Sequence, residues 1–194
     1  MTLKEKIIHE SLKLFSLKGF LCTSMHDILQ AADTSKGGFY NHFKSKEDLF
    51  FTVLDRARKN WREKNLTDLD QIEKPVEKVK KLLENYKDRY LRDTKNLPGG
   101  CIFLTLTVEL VDQKPHLSRE VNKGFVRLKA MIKRLLDQGK ESGELRDEVD
   151  TEAVTEMIFG GMLGASVIYD MEKSTASLDQ SINALIDHLE RLAP

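Results

Sequence analysis

Between Pro115 and Gly143 the apolar residues fall at Leu117, Val121, Phe125, Leu128, Ile132 and Leu135, steps of three and four that place all six on one side of a helix. A helix carrying so long a stripe needs other apolar surfaces to cover it, and the chain supplies them at the same period. Ile8, Leu12 and Phe15 form one set, and Leu49, Phe50, Val53, Leu54, Ala57 and Trp61 a second. Val76, Val79, Leu83, Tyr86 and Tyr90 form a third, and Leu178, Ile182, Leu185, Leu189 and Leu192 a fourth. No stretch alternates polar and apolar residues as a half-buried strand would. With only 4 Pro and 11 Gly in 194 residues, long helices are uninterrupted. The expected fold class is all-α, with about nine helices.

Punctuation along the chain divides these helices. Thr2 with Glu5 forms a capping box ahead of the first, and Gly19 stands where a helix stops. Thr23-Ser24 opens a short helix ending near Ala32, and Ser35 opens another, to about His42. Ser45 with Asp48 repeats the capping pattern before a long helix, and Pro75 occupies a first turn, where proline is tolerated. Pro98-Gly99-Gly100 breaks the pattern, which resumes over Cys101 to Val111, and a nearly all-round apolar helix runs from about Thr151 through Tyr169.

Composition narrows the function classes. Hydrophobic residues at 40% and charged residues at 32% fit a globular protein. The apolar run from Met157 to Tyr169 falls short of the roughly 20 residues that span a bilayer. The start lacks the apolar core of a secretory signal, and two distant cysteines, Cys22 and Cys101, suggest no disulfide framework, so a reducing cytoplasm is the expected compartment. Net charge is zero, yet residues 1–62 hold eleven Lys and Arg against seven Asp and Glu, leaving the remainder acidic. A basic front joined to an acidic rear suits a nucleic-acid module linked to another domain.

Two short helices joined by a tight turn and preceded by a supporting helix make a helix-turn-helix. The second short helix carries Lys36, Gly37, Gly38, Phe39, Tyr40, Asn41 and His42. Gly37 and Gly38 each cost roughly 1 kcal/mol in a helix interior, and close approach to a duplex is a reason to accept it. Ser35 and the helix-start amides suit phosphate, Lys36 a phosphate or guanine edge, and Asn41 a base edge. Phe39 and Phe43 face inward on this reading.

The run Gly19-Phe20-x-x-Thr23-Ser24-x-x-Asp27-Ile28-x-x-Ala31-Ala32, continued by Ser35-Lys36-Gly37-Gly38-Phe39-Tyr40-Asn41-His42-Phe43-Lys44-Ser45-Lys46-Glu47-Asp48-Leu49, resembles the signature of the TetR family of bacterial repressors. The match covers about the first 55 residues. Gly100-Cys101, Val108-Glu109-Leu110 and Gly143-Glu144-Leu145 are similar to segments found in one subset of that family. Asp33 departs from it, standing where glycine is usual in the turn.

The resemblance implies that Ser24, Met25, Thr34, Ser35, Lys36, Gly37, Tyr40, Asn41, His42 and Lys46 face DNA. Tyr40, His42 and Lys46 then suit phosphates, and Met25 offers only apolar contact. It implies a helix-turn-helix domain over 1–47, its signature running to about 61, and a ligand-binding and dimerisation domain over 48–194. It also implies a repressor released by a small-molecule effector, in a cavity around Tyr86, Tyr90, Cys101, Phe103, Leu104, Phe125 and Phe159, which would displace the long helix from Ser45.

Gly160, Gly161, Gly164 and Ala165 allow close helix contact, and one chain would struggle to bury both of the last two helices. A homodimer is expected, through Met157, Gly160, Gly161, Gly164, Ile168, Ile182, Leu185 and Leu189. Cys101 reads either as a sensing thiol at a helix start or, preferred, as a small buried hydrophobe. No catalytic constellation stands out, and the five histidines show no metal-ligand spacing, so no enzyme activity, metal or cofactor is expected. The alternative reading is an all-α small-molecule-binding or scaffold protein that does not bind DNA; the basic front and intact Lys36, Tyr40 and Lys46 speak against it.

Overall fold

The Thr2 hydroxyl accepts from the Glu5 N–H, and the Glu5 carboxylate accepts from the Thr2 N–H at 2.9 Å. That reciprocal cap opens the first of nine α-helices in a computed structural model describing residues 1–194. They are α1 (Leu3–Lys18), α2 (Met25–Ala31), α3 (Lys36–Tyr40), α4 (Lys46–Asn65), α5 (Pro75–Asn85), α6 (Ile102–Leu110), α7 (Pro115–Glu141), α8 (Thr151–Glu172) and α9 (Thr175–Arg191). There is no strand, and no helix is long and apolar enough to cross a membrane. The all-α expectation holds. Two features lacked a sequence signal: a single 3-10 turn at Leu69–Gln71, and a π-helical continuation of α5 over Tyr86–Leu91.

The chain forms two units, residues 1–61 with 93–122, and residues 62–92 with 123–194. In the first, α1 stops because Gly19 takes φ +79°, a conformation that side-chain-bearing residues rarely adopt. Ser24 with Asp27 makes a second capping box for α2. Asp33 sits in the left-handed region at φ 50°, the conformation expected of this turn position, before Ser35 caps α3. Ser45 Oγ accepts from the Asp48 N–H at 3.0 Å at the start of α4, and the Asp48 carboxylate accepts from the Lys44 N–H at 2.9 Å.

Ile7, Ile8, Leu12 and Phe15 of α1, Ile28 of α2, Phe39 of α3, and Leu49, Phe50 and Val53 of α4 are buried in this unit, as are Ile102, Leu106 and Leu110 of α6. At its centre Phe15 meets Phe20 edge-on at 5.5 Å, and Phe20 meets Phe50 edge-on at 5.1 Å. These geometries match the ring quadrupoles. Segment 99–110 is pinned to α1 by more than apolar contact. The Gly99 N–H donates to Ser16 Oγ at 3.1 Å, and a side chain at Gly99 would collide with the Ser16 carbonyl.

In the second unit, Asp150 caps α8, and Lys173 at φ 52° turns the chain into α9. α8 and α9 pack together with Ile158, Met162, Ala165, Leu178, Ile182 and Leu189 buried. Gly161 permits this approach, since a Cβ there would lie 2.7 Å from Leu185 Cδ2. The Arg92 guanidinium grips the Asp179 carboxylate at 2.8 and 2.9 Å. Asn85 Nδ2 donates to the carbonyls of Asn65 and Thr67 at 3.2 and 2.8 Å.

Phe15→Ala removes a ring with no exposed surface from the centre of the first unit. It should lower the unfolding free energy by about 3–5 kcal/mol in denaturant titrations. A loss under about 1 kcal/mol would mean the ring cluster is not the core of that unit.

Candidate nucleic-acid interface

The outer side of the first unit is built by short polar helices over an apolar floor. Phe39 is fully buried and Phe43 nearly so, their rings 5.5 Å apart, so the inward role expected of both is what the fold shows. Tyr40 stands edge-on to Phe39 at 5.2 Å and leaves 56% of its surface exposed. Ser24, Ser35, Lys36, Gly37, Asn41 and His42 are exposed, while Met25, Thr34 and Lys46 are half-buried. Lys36 and Tyr40 are four residues apart on α3 and share a face. Asn41 and His42 follow the end of the helix, which is shorter than the expected Ser35–His42.

Two of the hydroxyls already carry structural duty. Ser35 Oγ accepts from the Gly38 N–H at 3.1 Å, and the Ser24 hydroxyl both accepts from the Asp27 N–H and donates to the Asp27 carboxylate. The two glycines of α3 differ. A Cβ at Gly37 has room, its nearest neighbour being Ser35 Oγ at 3.7 Å, whereas one at Gly38 would collide with the Thr34 hydroxyl. Gly38 therefore answers to the protein's own turn, a reason the sequence did not disclose.

The charges are arranged with equal economy. The Lys46 ammonium lies over the Phe20 ring at 4.3 Å, and burial holds it below the usual lysine value. The Lys18 ammonium, 2.8 Å from Asp27, and the Ser24 N–H hold the Asp27 carboxyl far below the ordinary aspartate range. Glu47 pairs with His116 and Lys114, each at 3.1 Å, and its carboxyl is likewise lowered, first by His116 and then by Lys114.

One residue escaped the sequence reading. Glu109, on α6, accepts from the N–H groups of Phe20 at 2.7 Å, Leu21 at 2.8 Å and Cys22 at 3.4 Å. The Val108-Glu109-Leu110 run was visible, but a contact spanning nearly ninety residues has no local signature.

Residues 7–53 match the family of bacterial regulatory proteins named for tetR, and residues 75–185 match the tetracyclin repressor-like C-terminal domain. The chain belongs to the TetR family. It is a helix-turn-helix DNA-binding transcriptional regulator of that family. Among its TetR relatives is the HTH-type transcriptional repressor DhaR of Mycobacterium sp. strain GP1, 24% identical over 187 residues that cover 96% of this chain and 91% of that one. A TetR regulator of Chloroflexus aurantiacus has the same fold, with a TM-score of 0.88 at 27% identity over 96% of this chain and 93% of that one. AibR, solved with isovaleryl coenzyme A and operator DNA, shares the fold with a TM-score of 0.77 at 17% identity, covering 96% and 97%.

The effector residues that the TetR resemblance implies and the dimer residues expected from the small-residue spacing fall in both units. In the second unit Tyr86 and Tyr90, both buried, stack at 5.7 Å on the π-helical stretch, and Phe125 meets Phe159 edge-on at 5.4 Å. Cys101, Phe103 and Leu104 belong to the first unit, where Cys101 is buried at the start of α6. On α8 and α9, Ile182 and Leu189 are buried within the chain and Leu185 lies on Gly161. Met157 and Ile168 are exposed, and a Cβ at Gly160 or Gly164 would meet nothing.

Because the folded Asp27 carboxyl is lowered, its contribution to stability is full above the unfolded aspartate pKa and is lost as pH falls from there through the lowered folded one. Asp27→Asn should therefore be less stable than wild type at pH 7, with a deficit that shrinks below about pH 4. Urea unfolding at both pH values measures it, and a pH-independent deficit would refute the ion-paired cap.

Proposed function

We propose that the chain is a repressor that binds a pseudo-palindromic operator as a homodimer and is released by a small-molecule effector. The observation that carries the DNA-reading surface is the division of α3, with Phe39 sealed beneath it and Lys36, Gly37 and Tyr40 exposed above. In this reading residues 1–47 read DNA and residues 48–194 bind ligand and dimerise. Repression is supported by DhaR, a transcriptional repressor, and release by a small molecule by AibR, solved with isovaleryl coenzyme A and operator DNA.

The contacts sort by chemistry. Lys36, an exposed cation at the start of α3, and Asn41 suit base edges in the major groove. Tyr40, His42 and Lys46 suit phosphates, with Ser24, Thr34 and Ser35 lining the approach, Gly37 admitting the backbone and Met25 offering apolar contact. Met157, Gly160, Gly164 and Ile168 on the open side of α8 join two copies, with Gly161, Ile182, Leu185 and Leu189 shaping the α8–α9 pair behind them. Two recognition helices then meet successive major grooves about 34–36 Å apart. Tyr86, Tyr90, Cys101, Phe103, Leu104, Phe125 and Phe159 are the effector candidates. The effector need only favour the DNA-incompetent state, and a tenfold preference corresponds to about 1.4 kcal/mol of coupling.

A gel shift with the intergenic DNA beside its own gene should show a specific complex that weakens steeply with salt; no such complex would sink the proposal. In the same assay Lys46→Ala should weaken all sequences alike and reduce the salt slope by about one. Asn41→Ala should instead relax preference at a single base position. Equal behaviour of the two variants would contradict the assignment.

A further inference from the structure

We propose that Glu109 is a positioning residue for DNA reading, its carboxylate filling an anion-binding nest in the turn after α1 and thereby setting how α2 and α3 leave that helix. The inference rests on the DNA-reading surface proposed above. Three successive amides, of Phe20, Leu21 and Cys22, converge on one carboxylate at 2.7, 2.8 and 3.4 Å. Consecutive N–H groups aimed at one point make a concavity that selects an anion. Gly19 is shaped to it: φ is +79°, and a Cβ there would strike all three atoms of the Glu109 carboxyl group. The turn takes its form around that carboxylate.

The placement runs against the local preference of α6. Glu109 is the penultimate residue of Ile102–Leu110, at the end of a helix where the dipole disfavours a negative charge. A carboxylate held there by three amides of another segment has a role that α6 itself does not explain. The role follows from what the turn carries. Thr23 Oγ1 donates to the Gly19 carbonyl at 2.6 Å, and Ser24 immediately caps α2, so the nest and the start of α2 are one rigid piece. Phe20, held by the shortest of the three bonds, puts its ring between Phe15 and Phe50 and beneath the Lys46 ammonium. Glu109 also favours the charged form of Lys46 through space. One carboxylate on α6 thus sets the entry to the reading helices.

The test compares wild type, Glu109→Ala and Glu109→Gln. The probes are a duplex selected by the wild type from a randomised pool and a scrambled duplex of equal length, at one ionic strength, with amide hydrogen exchange at Phe20 and Leu21 measured in parallel. Glu109→Ala should lose tenfold or more in affinity for the selected duplex while keeping its affinity for the scrambled one, as expected if charge-assisted bonds that fix geometry are lost. Glu109→Gln, whose amide oxygen still accepts, should fall between the two, and both amides should exchange faster in the order Gln, then Ala. A variant that merely failed to fold would lose both duplexes together, and Glu109→Gln guards against that outcome. Unchanged discrimination in both variants despite faster exchange would overturn the proposal. A wild type without any sequence preference would overturn the DNA-reading assignment itself, while the exchange data would still report whether the nest holds.

Discussion

Helices of seven and five residues do not persist in water by themselves, since isolated helices below about 12–15 residues are marginal even in favourable sequences. α2 and α3 exist because Ile28 and Phe39 are buried with no exposed surface in helices packed on α1. The rigidity of that packing comes from three phenylalanines, Phe15, Phe20 and Phe50, whose rings meet at 5.1 to 6.5 Å. Burial of these side chains sets the orientation of everything polar above them. α3, little more than one turn long, can then present Lys36 and Tyr40 without being stable by itself.

Capping completes what burial begins. Each of α1, α2 and α3 opens on a hydroxyl residue that satisfies an otherwise orphaned amide, and α1 and α2 add an acidic residue that returns the bond. In α2 the returning residue, Asp27, is also paired to Lys18, so the cap and an ion pair share one carboxylate. The turn between α1 and α2 lacks enough local partners, and Glu109 supplies them from α6. The helix-turn-helix is therefore not self-contained in this chain: residues 93–122 belong to the same unit.

Much of this was legible in the residues. Periodicity located the longer helices, because each has an apolar stripe to bury, and cap residues marked α2 and α3, which bury one side chain each. The inward direction of Phe39 and Phe43 and the left-handed turn at Asp33 followed from side-chain chemistry. What stayed hidden depends on distant partners. Gly38 looked like a concession to DNA until Thr34 was found against it. Nothing local to Lys46, expected as a DNA-facing cation, signals the Phe20 ring beneath it. The π-helical stretch at Tyr86–Leu91 has no residue that announces it, since Tyr86 and Tyr90 keep ordinary helical spacing in the sequence. Glu109 is the extreme case, a polar residue on a short apolar helix whose partners are backbone amides, which have no sequence identity to recognise.

The proposed function requires two copies acting as a unit, because a single α3 offers only a handful of side chains to a groove. The open side of α8, with Gly160 and Gly164 bare and Met157 and Ile168 exposed, is the surface through which the second copy would be held. The central claim, that α3 reads DNA from a two-fold pair, is met most directly by selecting binding sites for the wild-type chain from fully randomised duplex DNA. The account predicts an inverted repeat whose half-sites are centred about one helical turn apart, or a multiple of it. Recovery of an unpaired single motif, or of no motif at all, would contradict it.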